Sequence, residues 1–120
     1  MIKQIMSIVL ILLIAFSAVG VALADAPVLV VPADETFTAG DYIEYIGGTD
    51  IYATDADGDD ITLTVTDLPD GADFTDNFDG SADFGWTTTG EDVGEYTITV
   101  TAEDATGETT EDSYTITLTT

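Results

Sequence analysis

Gly94-Glu95-Tyr96-Thr97-Ile98-Thr99-Val100-Thr101-Ala102 alternates without a fault, with Tyr96, Ile98, Val100 and Ala102 on one side and Thr97, Thr99 and Thr101 on the other. A period of two belongs to an extended chain, whose successive side chains point to opposite faces. One apolar face backed by a hydroxyl-rich face predicts an antiparallel strand that is buried on one side and wet on the other. The same pattern recurs on both flanks. Ile61, Leu63 and Val65 alternate with Thr62, Thr64 and Thr66, and Tyr114, Ile116 and Leu118 alternate with Thr115, Thr117 and Thr119.

Extending this reading along the chain gives about seven strands and one short extra piece: strands at 27–31, 42–53 broken at Gly47-Gly48, 60–67, a short one near 72–75, 82–88, 95–103 and 112–119, and the short piece near 36–38. Turns are expected at Asp57-Gly58, Pro69-Asp70-Gly71, Asp79-Gly80, Gly90 to Gly94 and Thr106-Gly107, where Gly and Asp supply the required dihedrals. No segment past Asp25 has a helical period, and no linker or repeat divides it. Short strands separated by regular turns predict an all-β antiparallel sandwich, a single domain over residues 25–120.

Residues 1–24 fall outside this pattern. Lys3 precedes an apolar run from Ile5 to Leu23 that ends Ala22-Leu23-Ala24, the three parts of a secretory signal, so cleavage is expected after Ala24. The competing reading is an uncleaved anchor helix, because the run from Ile5 to Ala24, at about 1.5 Å per residue, reaches across about 30 Å of hydrocarbon. The membrane is a partner only through this segment and only if it is retained. Under either reading the remainder faces outward, so the expected location is secreted or at the extracellular cell surface.

The chain has 24 acidic residues, one Lys or Arg and no His, and the one cation is Lys3 in the leader. The domain therefore has nothing to neutralise phosphate, which excludes nucleic acid and anionic lipid as electrostatic partners. Its natural partners are cations. Self-repulsion on this scale should make the fold depend on bound divalent ions, on high ionic strength, or on both. With no cysteine, there is no disulfide, zinc thiolate or thiol nucleophile. Without His, Cys or Lys in the domain, only Ser, Thr, Tyr and carboxylates remain for catalysis. A carboxylate pair needs a cleft and a raised pKa that nothing here suggests, so the domain is not expected to be an enzyme.

Five motifs in order carry a resemblance: Pro27-Val28-Leu29, Thr54-Asp55-Ala56-Asp57-Gly58-Asp59, Leu68-Pro69-Asp70-Gly71-Ala72, Phe84-Gly85-Trp86-Thr87 and Gly94-Glu95-Tyr96-Thr97-Ile98-Thr99-Val100. Together they resemble the cadherin-like immunoglobulin-type domains of the dystroglycan kind found in bacterial and archaeal surface proteins. The chain departs from that pattern in two places. The second strand is about four residues longer around Gly47-Gly48, and Thr88 stands where Pro usually follows Trp-Thr. The resemblance implies a seven-stranded immunoglobulin/cadherin-like sandwich. Asp92-Val93-Gly94-Glu95-Tyr96-Thr97-Ile98 resembles a tyrosine corner, with Ile98 in the place of an antibody domain's second cysteine. Trp86 and Tyr96 are then core residues; the alternative is an exposed platform for sugar stacking.

The remaining motif is Asp55-Ala56-Asp57-Gly58-Asp59-Asp60. In this fold it lies at the same end as the loop after Glu103-Asp104, so carboxylates from both loops are expected to converge on Ca²⁺, which takes six to eight oxygen ligands. Gly at the loop's fourth position and flanking strands exclude an EF-hand. The resemblance supports Asp55, Asp57 and Asp104 as ligands, with Asp59 and Asp60 completing the candidate set. The expected function is an exported, non-enzymatic, calcium-binding adhesion or spacer module with a surface protein or glycan as partner. The alternative is a structural subunit of an extracellular filament or surface layer, with acidity that reflects high salt and no specific metal site; a long donor strand would mark it, and Asp25-Ala26-Pro27 is too short for one.

Overall fold

The longest alternating stretch becomes half of a long hairpin. In the computed structural model, which describes residues 25–120, β8 (Gly94–Asp104) and β9 (Thr109–Thr119) pair antiparallel, with Ile98 opposite Tyr114 and Tyr96 opposite Ile116. The expected signal segment lies outside the described residues. β5 (Ile61–Thr66) flanks β8 with Leu63 opposite Ala102, and β2 (Glu35–Thr38) flanks β9, giving a sheet in the order β2-β9-β8-β5. The β2–β9 pairing is parallel, an exception to the all-antiparallel expectation.

The opposing layer is built from β3 (Tyr42–Tyr45), β7 (Ala82–Thr87) and β6 (Ala72–Asp76), in the order β3-β7-β6. It continues into β1 (Val28–Val30) and β4 (Tyr52–Thr54), which pair antiparallel and join β7 through a bridge between Tyr52 and Ser81. The strand expected at 42–53 is thus two strands. Between the Tyr45–Phe84 pairing and the Tyr52–Ser81 bridge, seven steps on one side oppose three on the other, so four residues loop out. This is the insertion read at Gly47-Gly48. The Gly47 N–H donates to Asp83 Oδ1 at 2.7 Å, and a Cβ on Gly47 would stand 2.7 Å from Asn77 Nδ2, so only glycine lets the loop lie this close to the turn after β6.

The core sits between the layers. Ile43, Tyr45, Phe84 and Trp86 from one face meet Ile98, Val100, Tyr114, Ile116 and Leu118 from the other, all buried. Trp86 is 1 % exposed and packs edge-on against Tyr96, with ring centroids 4.9 Å apart. It is a core residue, not a sugar platform. The Tyr96 hydroxyl donates to the Asp92 carbonyl at 2.8 Å, closing the tyrosine corner. Thr88 does what proline could not: its N–H and its hydroxyl both donate to the Asp41 carbonyl, and its Oγ1 accepts from the Gly40 N–H. On the outer edge of β5, the Leu63 N–H donates to Asp76 Oδ2 at 3.1 Å.

Candidate metal centre

Strand alternation decides which acidic residue of the β8 end turns inward. Ile98, Val100 and Ala102 form a buried row, and Asp104, two residues further on, falls on the same face, whereas Glu103 is exposed. Asp104 is only 5 % exposed and stands opposite Ile61, at the start of β5. The register of β5 against β8 therefore carries the 55–60 loop to the inner end of β8. Carboxylate oxygens of Asp55, Asp59 and Asp104 lie within 4.8 Å of one another.

The two oxygens of each aspartate have different work. Asp104 Oδ1 accepts from the Thr106 N–H at 2.9 Å, the Thr106 hydroxyl at 2.7 Å and the Glu108 N–H at 3.0 Å. Asp55 Oδ1 accepts from the Asp57 N–H at 2.7 Å, which shapes the loop's first turn. Asp104 Oδ2 and Asp55 Oδ2 are both buried and have no hydrogen-bond partner. A buried, unpartnered oxygen on an ionised group is costly unless a cation faces it.

The electrostatics agree with this geometry. The Thr106 hydroxyl holds the Asp104 carboxyl below the usual carboxylate range; burial opposes it, and the N–H groups of Glu108 and Thr106 assist. Asp59 moves the other way, raised first by loss of hydration and then by the negative charges of Asp55, Asp104, Asp57 and Asp60. Two oxygens bound to one Ca²⁺ at about 2.3 to 2.6 Å are at most about 5 Å apart. The 4.8 Å spread fits a single calcium ion. With Oδ1 of Asp55 and of Asp104 committed elsewhere, each would bind through Oδ2 alone.

Of the five candidates, the fold thus brings together Asp55, Asp59 and Asp104. Asp57 and Asp60 are exposed and stand outside that group. Asp57 contributes its N–H to Asp55 instead, and Asp60 lines a neighbouring cavity of about 300 Å³ with Asp55, Asp59, Phe78 and Asp79. The sequence reading missed Thr106 and Glu108, which orient Asp104, and the 77–81 loop, which closes the cavity. Its signal was an aromatic residue inside a turn, Asn77-Phe78-Asp79-Gly80.

Two layers of this order, closed by a tyrosine corner and carrying an acidic loop cluster at one end, define an immunoglobulin-type sandwich module. The chain belongs to the family described as "Putative Ig domain", which matches residues 26–119. No curated protein matches it. Among solved structures it is similar to a variant of the endo-fucoidan hydrolase MfFcnA4 from glycoside hydrolase family 107, at 25% identity and TM-score 0.61 over 93% of this chain and 16% of that one. It is also similar to the endo-fucoidan hydrolase MfFcnA9 of the same family, at 23% identity and TM-score 0.60 over 92% of this chain and 18% of that one. A nucleoside hydrolase-related protein from Saccharophagus degradans, associated with carbohydrate metabolism, aligns at 17% identity and TM-score 0.54 over 82% of this chain and 26% of that one. The chain thus spans about a quarter or less of the length of each of these proteins.

Proposed function

We propose that the protein is an exported, non-enzymatic, calcium-binding adhesion or spacer module of the cadherin-like kind, displayed at the cell surface. The observation that carries this reading is the pair of buried, unpartnered oxygens, Asp55 Oδ2 and Asp104 Oδ2, beside Asp59 in a domain without a single Lys, Arg or His. Calcium satisfies both oxygens and relieves the repulsion at Asp59. The spacer role is supported by the size relation to the hydrolases, in which a like sandwich makes up under a fifth of the chain.

Three carboxylates supply fewer oxygens than calcium's six to eight, so affinity belongs in the range of extracellular modules, about 10⁻⁴ to 10⁻³ M. The test is calorimetric titration with Ca²⁺ at low and high NaCl, with a melting curve in each condition. Asp104→Asn and Asp55→Asn are expected to lose most of the calcium-induced rise in Tm. Asp70→Asn, in the loop between β5 and β6, should keep it. If NaCl at matched ionic strength stabilises as well as Ca²⁺, the acidity serves high salt and the filament or surface-layer reading takes over.

A further inference from the structure

Strand alternation carries the core of the sandwich into its acidic end. Ala53 on β4 and Ala102 on β8 are buried, and Asp55 and Asp104 follow each of them by two residues. β4 and β8 belong to different layers, so no backbone ladder joins them. The apolar contact between the layers is also thin here, because two alanines bury far less surface than Trp86, Tyr114 and Phe84 do in the rest of the core. One hydrogen bond crosses nearby, from the hydroxyl of Thr110, opposite Ala102, to the Pro27 carbonyl just before β1. Beyond this thin contact stand two buried, unpartnered oxygens, Asp55 Oδ2 at the end of β4 and Asp104 Oδ2 at the end of β8. The Asp104 side chain is more than nine-tenths buried.

We propose that calcium bound here ties the two layers together and sets the lifetime of the folded domain, so that the surrounding calcium level governs how fast the module unfolds. The proposal deepens the calcium reading by naming what the ion regulates, and it rests on that reading. An ion held by Asp55 and Asp104 joins β4 in one layer to β8 in the other. In antibody domains a disulfide makes the crossing between the sheets, and this chain has no cysteine to make it. Without the ion, Asp55, Asp59 and Asp104 face one another with no Lys, Arg or His in the domain to offset them, and their repulsion acts where the apolar contact is thinnest. Because the ligands come from both layers, the site is complete only after the layers have docked. A contact formed that late stabilises by slowing unfolding and leaves folding almost untouched.

The test is stopped-flow unfolding and refolding in urea, followed by the fluorescence of Trp86, the chain's single tryptophan and a buried one. It is run in about 10 mM CaCl₂ and in chelator with NaCl at matched ionic strength, so that general screening is equal in both. At a Kd of about 10⁻⁴ to 10⁻³ M, this much Ca²⁺ shifts the folding equilibrium about ten- to a hundredfold. That whole factor is expected as slower unfolding, with refolding changed by less than about twofold. Asp55→Asn and Asp104→Asn should each lose the slowing, and either one carries the test if the other does not fold. Asp57→Asn, whose carboxylate stands outside the group, should keep it. Equal unfolding rates in the two solutions beside a normal calcium titration overturn this proposal alone. So does a calcium effect carried by faster refolding, which would confine the ion's action to the 55–60 loop. A wild-type protein that takes up no calcium removes the metal reading and the tie with it.

Discussion

Two tyrosines of this sandwich make opposite forecasts from the same change. The Tyr96 hydroxyl donates to the Asp92 carbonyl at 2.8 Å, so Tyr96→Phe deletes a hydrogen bond and is expected to cost about 1 kcal/mol. Tyr114 is 1 % exposed, packed edge-on against Tyr45 and Phe84, and its hydroxyl has no partner. An unsatisfied buried hydroxyl costs about 1 to 3 kcal/mol. Tyr114→Phe removes that cost, leaves the ring in place and is expected to stabilise by about 1 kcal/mol. For a domain of this length each kcal/mol moves Tm by about 4 to 8 °C, so the two variants should separate visibly on either side of wild type. Alkaline titration gives a second readout. Burial, aided by the nearby Tyr45, pushes the Tyr114 hydroxyl well above its ordinary value. An unfolded chain releases that proton near pH 10 while the folded one keeps it. The stability is thus complete below about pH 10 and is lost as pH rises beyond it, and Tyr114→Phe should lessen that loss. Denaturant melts with unchanged m-values decide the matter. Equal destabilisation of the two variants would refute the reasoning, since the Tyr114 hydroxyl must then have a partner.

Three further outcomes follow from the loops. Asp59 is crowded by like charges, so Asp59→Asn should raise Tm in chelator at low salt yet diminish the gain from Ca²⁺, as read by paired melts. Gly80→Ala should destabilise by about 1 to 2 kcal/mol from its φ of +87° alone, and more because the new Cβ would stand 2.8 Å from the Ala53 carbonyl oxygen; denaturant unfolding measures it. The Ser81 hydroxyl and N–H hold Asp79 below the ordinary carboxylate value, so its contribution is present above about pH 4 and lost as pH falls. Ser81→Ala should flatten Tm against pH on the acid side.

What was legible in the sequence was whatever a period of two can encode. The apolar and Thr faces of β5, β8 and β9 set side-chain direction, and the same alternation turned Asp104 inward and Glu103 outward. The insertion at Gly47-Gly48 was visible as extra length, but its docking was not, because it depends on Asp83 and Asn77, more than thirty residues and about thirty residues away in sequence. The parallel partner of β2 was hidden for a similar reason: four residues give too little pattern to choose a direction. At the candidate metal centre, composition marked the carboxylates, whereas Asp57 and Asp60 were separated from the group of Asp55, Asp59 and Asp104 only by how the Asp55 turn folds back on itself.

The bond from Leu63 N–H to Asp76 Oδ2 has a consequence for how the molecule behaves in a crowd. β5 is the outermost strand of its sheet, and an open outermost strand invites a neighbour's chain to continue the ladder. Here one of its donors is already taken, and the group that takes it is negatively charged, so an approaching strand would have to displace a carboxylate and then tolerate its charge. A single side chain thereby acts as a gatekeeper against self-templated growth along this edge.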